Sequence, residues 1–226
     1  MKHLAFTLFA TIALFSNVGL YGQTSAQTNS ESYEKANGLT QEQIESIQGQ
    51  IKQKVDVFQN DLGIIVNALN SEKTKNLAIE DALDLFIGEG NPYYYIDPMT
   101  DRRILHKAVT MQTTGREGRI ATQTMKYYLN ATKYSATHAR ITIKQAEGVQ
   151  VSEIYAANAE GTEYVATATY FQTYRRETDW SVRVDQDIKK VKVYIQKKVA
   201  ITPAGAIEVF VIKLGDVKSV DSSNFY

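Results

Sequence analysis

The sequence predicts an α+β fold, in which a long N-terminal amphipathic helix and one or two shorter helices pack on an antiparallel sheet of five or six strands. Two observations lead to this fold class. The helical patterns all lie before about residue 133, whereas the chain is almost entirely β-rich from Thr137 onward. The β-rich segments are joined by short turns, which connect antiparallel strands. Helices gathered before the strands, rather than between them, are typical of α+β proteins.

The first 26 residues have the features of a secretory signal peptide. Met1-Lys2-His3 provides a positive start, Leu4 to Leu20 is an almost uncharged apolar run, and Thr24-Ser25-Ala26 ends in a small-x-small pattern. We expect cleavage after Ala26, with Gly22 as the competing site, and export to the periplasm or beyond the cell. A membrane anchor is the alternative, but about 17 apolar residues are short for a spanning helix, so no integral anchor is expected.

Composition predicts one domain and a chain without strong net charge. Of the 226 residues, 25 are Lys or Arg and 25 are Asp or Glu. Removing residues 1–26 removes Lys2, so 24 basic residues remain against 25 acidic ones, a net charge of −1. This balance offers no electrostatic footprint for nucleic acid and no polybasic membrane patch. Because the chain has no cysteine, it has neither a disulfide framework nor a cysteine for lipid attachment.

The predicted domain spans residues 40–219. It is preceded by a flexible leader at 27–39, which is rich in Ser, Asn, Gln and Glu and has no apolar period. A short C-terminal tail follows at 220–226. About 200 mature residues are enough for one domain with a hydrophobic core and too few for two.

The long helix is predicted from Thr40 to about Asn70. Thr40 and Gln43 have the spacing of a capping box, with Thr40 as the N-cap and Gln43 at N3. A stripe of apolar residues follows at intervals of mostly three or four. Its members are Ile44, Ile47, Ile51, Val55, Phe58, Leu62, Ile65, Val66 and Leu69. A coiled-coil seam has a similar pattern, but Gly63 interrupts this one and strands follow it, which favours packing against a sheet.

Two shorter helices and six strands follow. One helix is predicted from about Thr74 to Ile87, with Gly88 at the position of a left-handed C-cap. Another is predicted over about Ala121 to Lys133, where four side chains share a face, namely Met125, Tyr128, Leu129 and Thr132. The strands are predicted at 103–113, 139–145, 151–157, 163–175, 182–197 and 206–214.

Four segments carry a resemblance to a known superfamily. They are Lys75 to Tyr93, Tyr170 to Tyr174, Asp187 to Ile195 and Lys213 to Val217. Their order resembles the nuclear-transport-factor-like superfamily, also called SnoaL-like or cystatin-like, and in particular exported bacterial members without an assigned activity. The resemblance covers roughly residues 74 to 218 and implies a cone, in which helices fill the concave face of a strongly bent sheet. Because this superfamily contains isomerases, dehydratases, transport factors and non-catalytic modules, the likeness leaves the chemistry open.

The candidates for catalysis are few. His106 lies on an alternating strand and would act as a general base if it were buried in the cone beside Asp97 or a tyrosine hydroxyl. His138 lies near the start of another strand, and the two histidines lack the spacing of a metal site. Asp97, Asp101 and Glu89 lie near one turn but lack the spacing of a calcium loop. We therefore predict no metal and no cofactor.

Tyrosine provides the better candidates for binding. Alternation places Tyr164, Tyr170, Gln172 and Tyr174 on one face of one strand, with small alanines between them. Such a face suits a ligand wall or a protein interface, because tyrosine combines apolar area with a polar tip. The alternative is that the long helix covers this face. Tyr94, in the Tyr93-Tyr94-Tyr95 run, is a further candidate near the cone mouth.

The expected function is that of a non-catalytic ligand-binding, protein-binding or assembly module of the bacterial envelope. Its partner would be an envelope or secreted protein, or a small ligand in the cone, and a homodimer is possible. The alternative is a small-molecule lyase, isomerase or hydrolase of the SnoaL-like type with His106 as its base. A pocket that contains His106 beside a carboxylate favours the enzyme, whereas a cone plugged by Phe58, Leu62, Leu83 and Phe86 favours the module.

Overall fold

The computed structural model describes residues 38–97, 102–114, 119–145, 148–203 and 205–220. The predicted signal peptide, most of the leader, Asp101 and nearly all of the C-terminal tail lie outside these residues. Three α-helices and two β-sheets confirm the α+β class within the described part of the chain.

None of the helices in the described ranges is long and apolar enough to cross a membrane.

Helix α1 spans Gln41–Val66 and begins with the capping box that the sequence predicts. The backbone N–H of Gln43 donates to Thr40 Oγ1 at 3.2 Å, and the N–H of Thr40 donates to Gln43 Oε1 at 2.9 Å. The apolar stripe of α1 is buried from Ile44 to Val66. The helix ends four residues before the predicted Asn70, whose side-chain amide instead donates to the carbonyl of Ile64 at 3.0 Å.

Helix α2 spans Glu72–Asp84 and is capped by the Ser71 hydroxyl. It ends three residues before the predicted Ile87, and its C-cap is Leu85 in the right-handed region rather than Gly88. Gly88 has a left-handed φ of 74°, but it lies inside a separate 3₁₀ turn over Ile87–Gly90. Helix α3 spans Met125–Ser135. It starts four residues later than predicted, because residues 120–124 form a strand instead of its first turn.

The smaller sheet is a hairpin of β1 (Tyr93–Asp97) and β2 (Arg102–His106). The larger sheet has eight strands: β3 (Thr110–Thr114), β4 (Ile120–Thr124), β5 (Arg140–Gln145), β6 (Gln150–Val151), β7 (Tyr155–Ala156), β8 (Glu163–Thr178), β9 (Ser181–Thr202) and β10 (Gly205–Val220). Its main order is β4-β3-β10-β9-β8-β5, and β6 and β7 pair with β8.

The large sheet has eight strands rather than the predicted five or six. Two further predictions about the strands are wrong. The large sheet is mixed rather than antiparallel, because β3 and β10 pair in parallel at Met111 and Val217. The single strand predicted over residues 103–113 is divided at Lys107–Val109 into β2 and β3, which belong to different sheets. The division coincides with a long-range contact, since the carboxylate of Asp216 accepts the N–H of Thr110 at 2.7 Å and ties the start of β3 to β10.

The long strands β8, β9 and β10 present two faces, which we call the inner and the outer face. The inner face packs against the helices and carries Tyr164, Ala166, Ala168, Tyr170 and Gln172 of β8, all of them buried. The outer face carries the residues that alternate with the inner-face residues along each strand. A bulge between Leu214 and Val217 interrupts the pairing of β10 with β9. It lets Val217 and Ser219 continue the buried inner face of β10 beyond Leu214.

The apolar core lies between the inner face and the helices. Phe58 of α1 and Phe86, just after α2, meet edge to face with ring centroids 5.1 Å apart, and both rings are buried. Leu62 and Leu83 are buried beside them in the same core. This core fills the space that an open apolar pocket would need.

One carboxylate interrupts the buried stripe of α1. Asp61 is 7% exposed, its Oδ2 has no hydrogen-bond partner among the described residues, and burial together with the nearby Asp81 carboxylate raises its pKa to about 6. Because the fold holds the proton more tightly than the unfolded chain, whose carboxyl titrates near 3.8, stability is lost as the pH rises from about 4 to 6. We therefore expect Asp61→Asn to raise the free energy of unfolding above pH 7 by about 1–2 kcal/mol.

The pH dependence provides the control for this prediction. Denaturant unfolding of Asp61→Asn and the wild type should give nearly equal stabilities at pH 4 and diverge by pH 7. Asp56→Asn, an exposed change on the same helix, should follow the wild type throughout. If the stabilities of the wild type and Asp61→Asn changed in parallel with pH, the raised pKa of Asp61 would be contradicted.

Candidate functional site

A polar cavity of about 260 Å³ lies between the inner face of the large sheet and helix α3. We call it the inner cavity. Strands β8 and β9 supply most of its charged and amide side chains, β3 supplies Thr113 and Thr114, and α3 supplies Tyr128 and Thr132. The inner face therefore changes along its length from an apolar region under α1 to a polar region under α3.

Lys189 of β9 is the least expected residue of the cavity wall. Its side chain is 2% exposed, and its ammonium donates to Ser219 Oγ at 2.6 Å, to the carbonyl of Gln112 at 2.9 Å and to Asp187 Oδ2 at 2.9 Å. Burial lowers the pKa of Lys189, while the hydrogen bond and charge of Asp187 oppose that shift. All three donors of the ammonium have acceptors, as a buried charge requires.

Asp187 is the counterion of Lys189. Burial opposes its ionisation, but hydrogen bonds from Lys189 and Thr114 and the charge of Lys189 outweigh burial and hold the pKa of the carboxyl below its usual value. A second pair lies beside it, where Arg183 Nε donates to Asp185 Oδ1 at 3.0 Å and lies 2.7 Å from Asp185 Oδ2. The charges of the wall are thus two cations and two anions in two pairs, and the cavity is neutral.

Amide and hydroxyl groups complete the wall. The amide of Gln172 donates to Gln59 Oε1 of α1 at 3.0 Å. Behind it, the Tyr170 hydroxyl and Gln59 Nε2 are buried without a hydrogen-bond partner among the described residues. Burial raises the pKa of Tyr170 and of Tyr128, so both phenols are neutral at physiological pH. The wall offers donors and acceptors without an unpaired charge.

The structure divides the five predicted binding residues, which are four on one face of β8 and the separate candidate Tyr94, between different surroundings. Three of them are buried under the helices, namely Tyr164, Tyr170 and Gln172. For these three residues the alternative prediction of a covered face is correct, and the prediction of an exposed recognition face is wrong. Gln172 and the partly buried Tyr174 line the inner cavity. The Tyr164 hydroxyl donates to the carbonyl of Gly161 at 2.6 Å. Tyr94 is exposed on the β1–β2 hairpin, where the Arg103 guanidinium lies 3.9 Å from its ring centroid.

His106 lies on the other side of the sheet. Its ring stacks on Tyr93 with centroids 5.3 Å apart and meets Tyr95 edge-on at 5.8 Å, and it lines a groove on the outer face. The register pairs His106 with Tyr93 and Asp97 with Arg102, so the two candidates lie at opposite ends of the hairpin, about 13 Å apart along the strand. The side chain of Asp97 lies outside the described part of the structure. The backbone therefore does not bring this pair together.

His138 is exposed, and its Nδ1 lies 2.7 Å from Thr137 Oγ1 and 3.2 Å from the carbonyl of Tyr134. Within the described ranges, no three His, Cys, Asp or Glu side chains lie close enough together to hold a metal ion.

The pair of Lys189 and Asp187 is not among the candidate site residues that the sequence predicts. A signal was present. In a strand, successive side chains point to opposite faces, so Lys189 and Lys190 cannot both face water. Val191 and Val193 identify the buried face, and Lys189 and Asp187 continue it by steps of two.

Comparisons of the chain with protein families, with curated proteins and with solved structures found no match. The resemblance to the nuclear-transport-factor-like superfamily stays a prediction.

Proposed function

We propose that this chain is a non-catalytic binding module of an exported protein, and that its ligand is a small neutral polyhydroxylated molecule held in the inner cavity. The observation that carries the proposal is the cavity wall, in which every charged side chain is paired and the remaining groups are hydroxyls and amides. In this proposal the helices fill the concave face of a cone-like sheet, and residues 1–26 direct export.

The chemistry of the wall supports a neutral ligand. A charged ligand would have to compete with an internal partner for Arg183, Asp185, Asp187 or Lys189, which lie 2.7 and 2.9 Å from their counterions. A sugar-like molecule would need only the hydrogen bonds that Gln172, Tyr174 and the threonines offer. The volume of about 260 Å³ is below the roughly 300–1,000 Å³ of pockets for drug-sized ligands, which suits a single sugar residue.

Two features support binding rather than catalysis. The apolar part of the inner face is occupied by Phe58, Leu62, Leu83 and Phe86, so a substrate would have to lie in the polar part. His106, the base of the alternative enzyme, lines a groove on the opposite face of the sheet. A proton acceptor in the inner cavity would instead be Asp185 or Asp187, each of which is paired with a cation.

Isothermal titration of the mature protein with neutral monosaccharides, amino sugars and uronic acids tests the proposal. We expect saturable binding of at least one neutral sugar, and Tyr174→Phe should weaken it about three- to tenfold, because one hydrogen bond to the ligand is lost. Tyr127→Phe is the matched control, since Tyr127 is exposed on α3 outside the cavity wall, and should bind as the wild type does. Preferential binding of the charged sugars, or equal weakening in both variants, would overturn the proposal.

A further inference from the structure

A second cavity of about 590 Å³ lies on the outer face of the large sheet, opposite the inner cavity. We call it the outer groove. The outer-facing residues of β9 and β10 form its floor, and His106 at the end of β2 forms part of its wall. Its floor carries three exposed lysines, Lys190, Lys192 and Lys218.

The three lysines are close neighbours in the sheet. Lys190 of β9 pairs directly with Lys218 of β10, and Lys192 is the next outer-facing residue of β9. Like charges directly opposite each other on antiparallel strands are about 5 Å apart at Cβ and destabilise the sheet. None of the three lysines forms an ion pair with a residue that the structure describes. The arrangement therefore concentrates positive charge without an internal counterion.

Among the described residues that line the groove, one carries a carboxylate, and this carboxylate already accepts two hydrogen bonds. Asp216 Oδ1 accepts hydrogen bonds from the N–H of Thr110 at 2.7 Å and from its hydroxyl at 2.8 Å. With three lysines against one aspartate, the floor keeps an excess of positive charge.

The aromatic side of the groove is held in a fixed position. The Lys192 ammonium lies 4.8 Å from the ring centroid of Tyr194. Gly215, in the bulge of β10, allows this placement, because a Cβ at position 215 would lie 2.6 Å from Cε2 of Tyr194. A rigid aromatic ring beside a cluster of ammonium groups offers both a stacking surface and point charges.

We propose that the outer groove binds a compact ligand with several oxyanion groups, that is, a phosphate or sulfate ester of a small molecule. Such a ligand supplies the negative charge that Lys190, Lys192 and Lys218 lack within the protein. This site is independent of the inner cavity, because it lies on the other face of the sheet and selects for charge rather than neutrality.

Titration of the mature protein with tripolyphosphate and with a sulfated heparin disaccharide tests the proposal and distinguishes the two ester chemistries. We expect one or both probes to bind with a dissociation constant below about 1 mM, and the affinity to fall as NaCl is raised. Lys190→Gln and Lys218→Gln should each weaken binding about three- to tenfold. Neither should lower the melting temperature, since each relieves the repulsion between two lysines.

Lys52→Gln is the matched control, because it removes the same charge from an exposed position on α1 and should leave affinity within about twofold. Tyr174→Phe should not change anion binding, which separates this site from the inner cavity. Failure of both probes to saturate, or equal weakening by Lys52→Gln and Lys190→Gln, would overturn the proposal.

Discussion

Lys189→Met is expected to lower the free energy of unfolding by about 3–5 kcal/mol. Methionine fills most of the volume of the lysine stem but leaves the Asp187 carboxylate, which is 13% exposed, without its counterion. It also removes the hydrogen bonds that the ammonium donates to the Ser219 hydroxyl and to the carbonyl of Gln112, which stay bonded to each other at 2.9 Å. Chemical denaturation monitored by circular dichroism measures the change.

The adjacent lysine provides the control. Lys190→Met makes the same chemical change one residue later, on the exposed outer face, and should alter stability by less than about 0.5 kcal/mol. The double variant Lys189→Met with Asp187→Leu should recover part of the loss, because replacing both members of a buried ion pair removes the unpaired charge. Equal effects of Lys189→Met and Lys190→Met would refute the buried position of Lys189.

The pH dependence of this pair has a definite sign. The pKa of Asp187 is lowered in the fold, so its stabilising contribution is present above the carboxyl's ordinary value of 3.8 and is lost as the pH falls further. In Lys189→Met the carboxylate is unpaired, and its protonation at low pH removes the penalty. The stability difference between wild type and Lys189→Met should therefore narrow as the pH falls below about 4.

Local signals in the sequence located the start of α1 and the long strands. The capping box at Thr40 and Gln43 is present in α1, and the four side chains predicted on one face of the third helix are all buried in α3. The parallel pairing of β3 with β10 had no such signal. It joins Met111 to Val217 across more than one hundred residues, and its tie through Asp216 and Thr110 is a contact that no local pattern specifies.

The candidate sites were predictable only in part, because they also depend on contacts between residues that are far apart in the sequence. Alternation correctly places Gln172 on the same face as Tyr170, and the structure shows that this face is covered. Which part of a covered face remains open depends on where the helices lie. A cavity beside α3 is lined by Gln172 and Tyr174, whereas Tyr164 lines a separate cavity of about 310 Å³ together with Tyr94. The outer groove requires Lys190 and Lys218 to be paired across two strands, which depends on the register and on the β10 bulge.

Tyr170→Ala is expected to lower the free energy of unfolding by about 3–5 kcal/mol, as truncation of a large buried aromatic side chain does. The Tyr170 side chain is 1% exposed and belongs to the core cluster between the inner face and the helices. Phe171→Ala, at the next position on the outer face, is the control. Because Phe171 is 38% exposed, its truncation should have a clearly smaller effect.

Tyr170→Phe separates the ring of Tyr170 from its hydroxyl. Gln59 interacts electrostatically with this hydroxyl, but the two groups do not reach hydrogen-bond geometry, so the phenol is a buried polar group without a partner. Removing an unsatisfied buried hydroxyl should leave stability within about 1 kcal/mol of the wild type or raise it. If Tyr170→Ala left the melting temperature unchanged while ligand capture was lost, the exposed-face hypothesis would be restored. A large loss in Tyr170→Ala with none in Tyr170→Phe would assign the ring to the core and leave the inner cavity and the outer groove as the proposed binding sites.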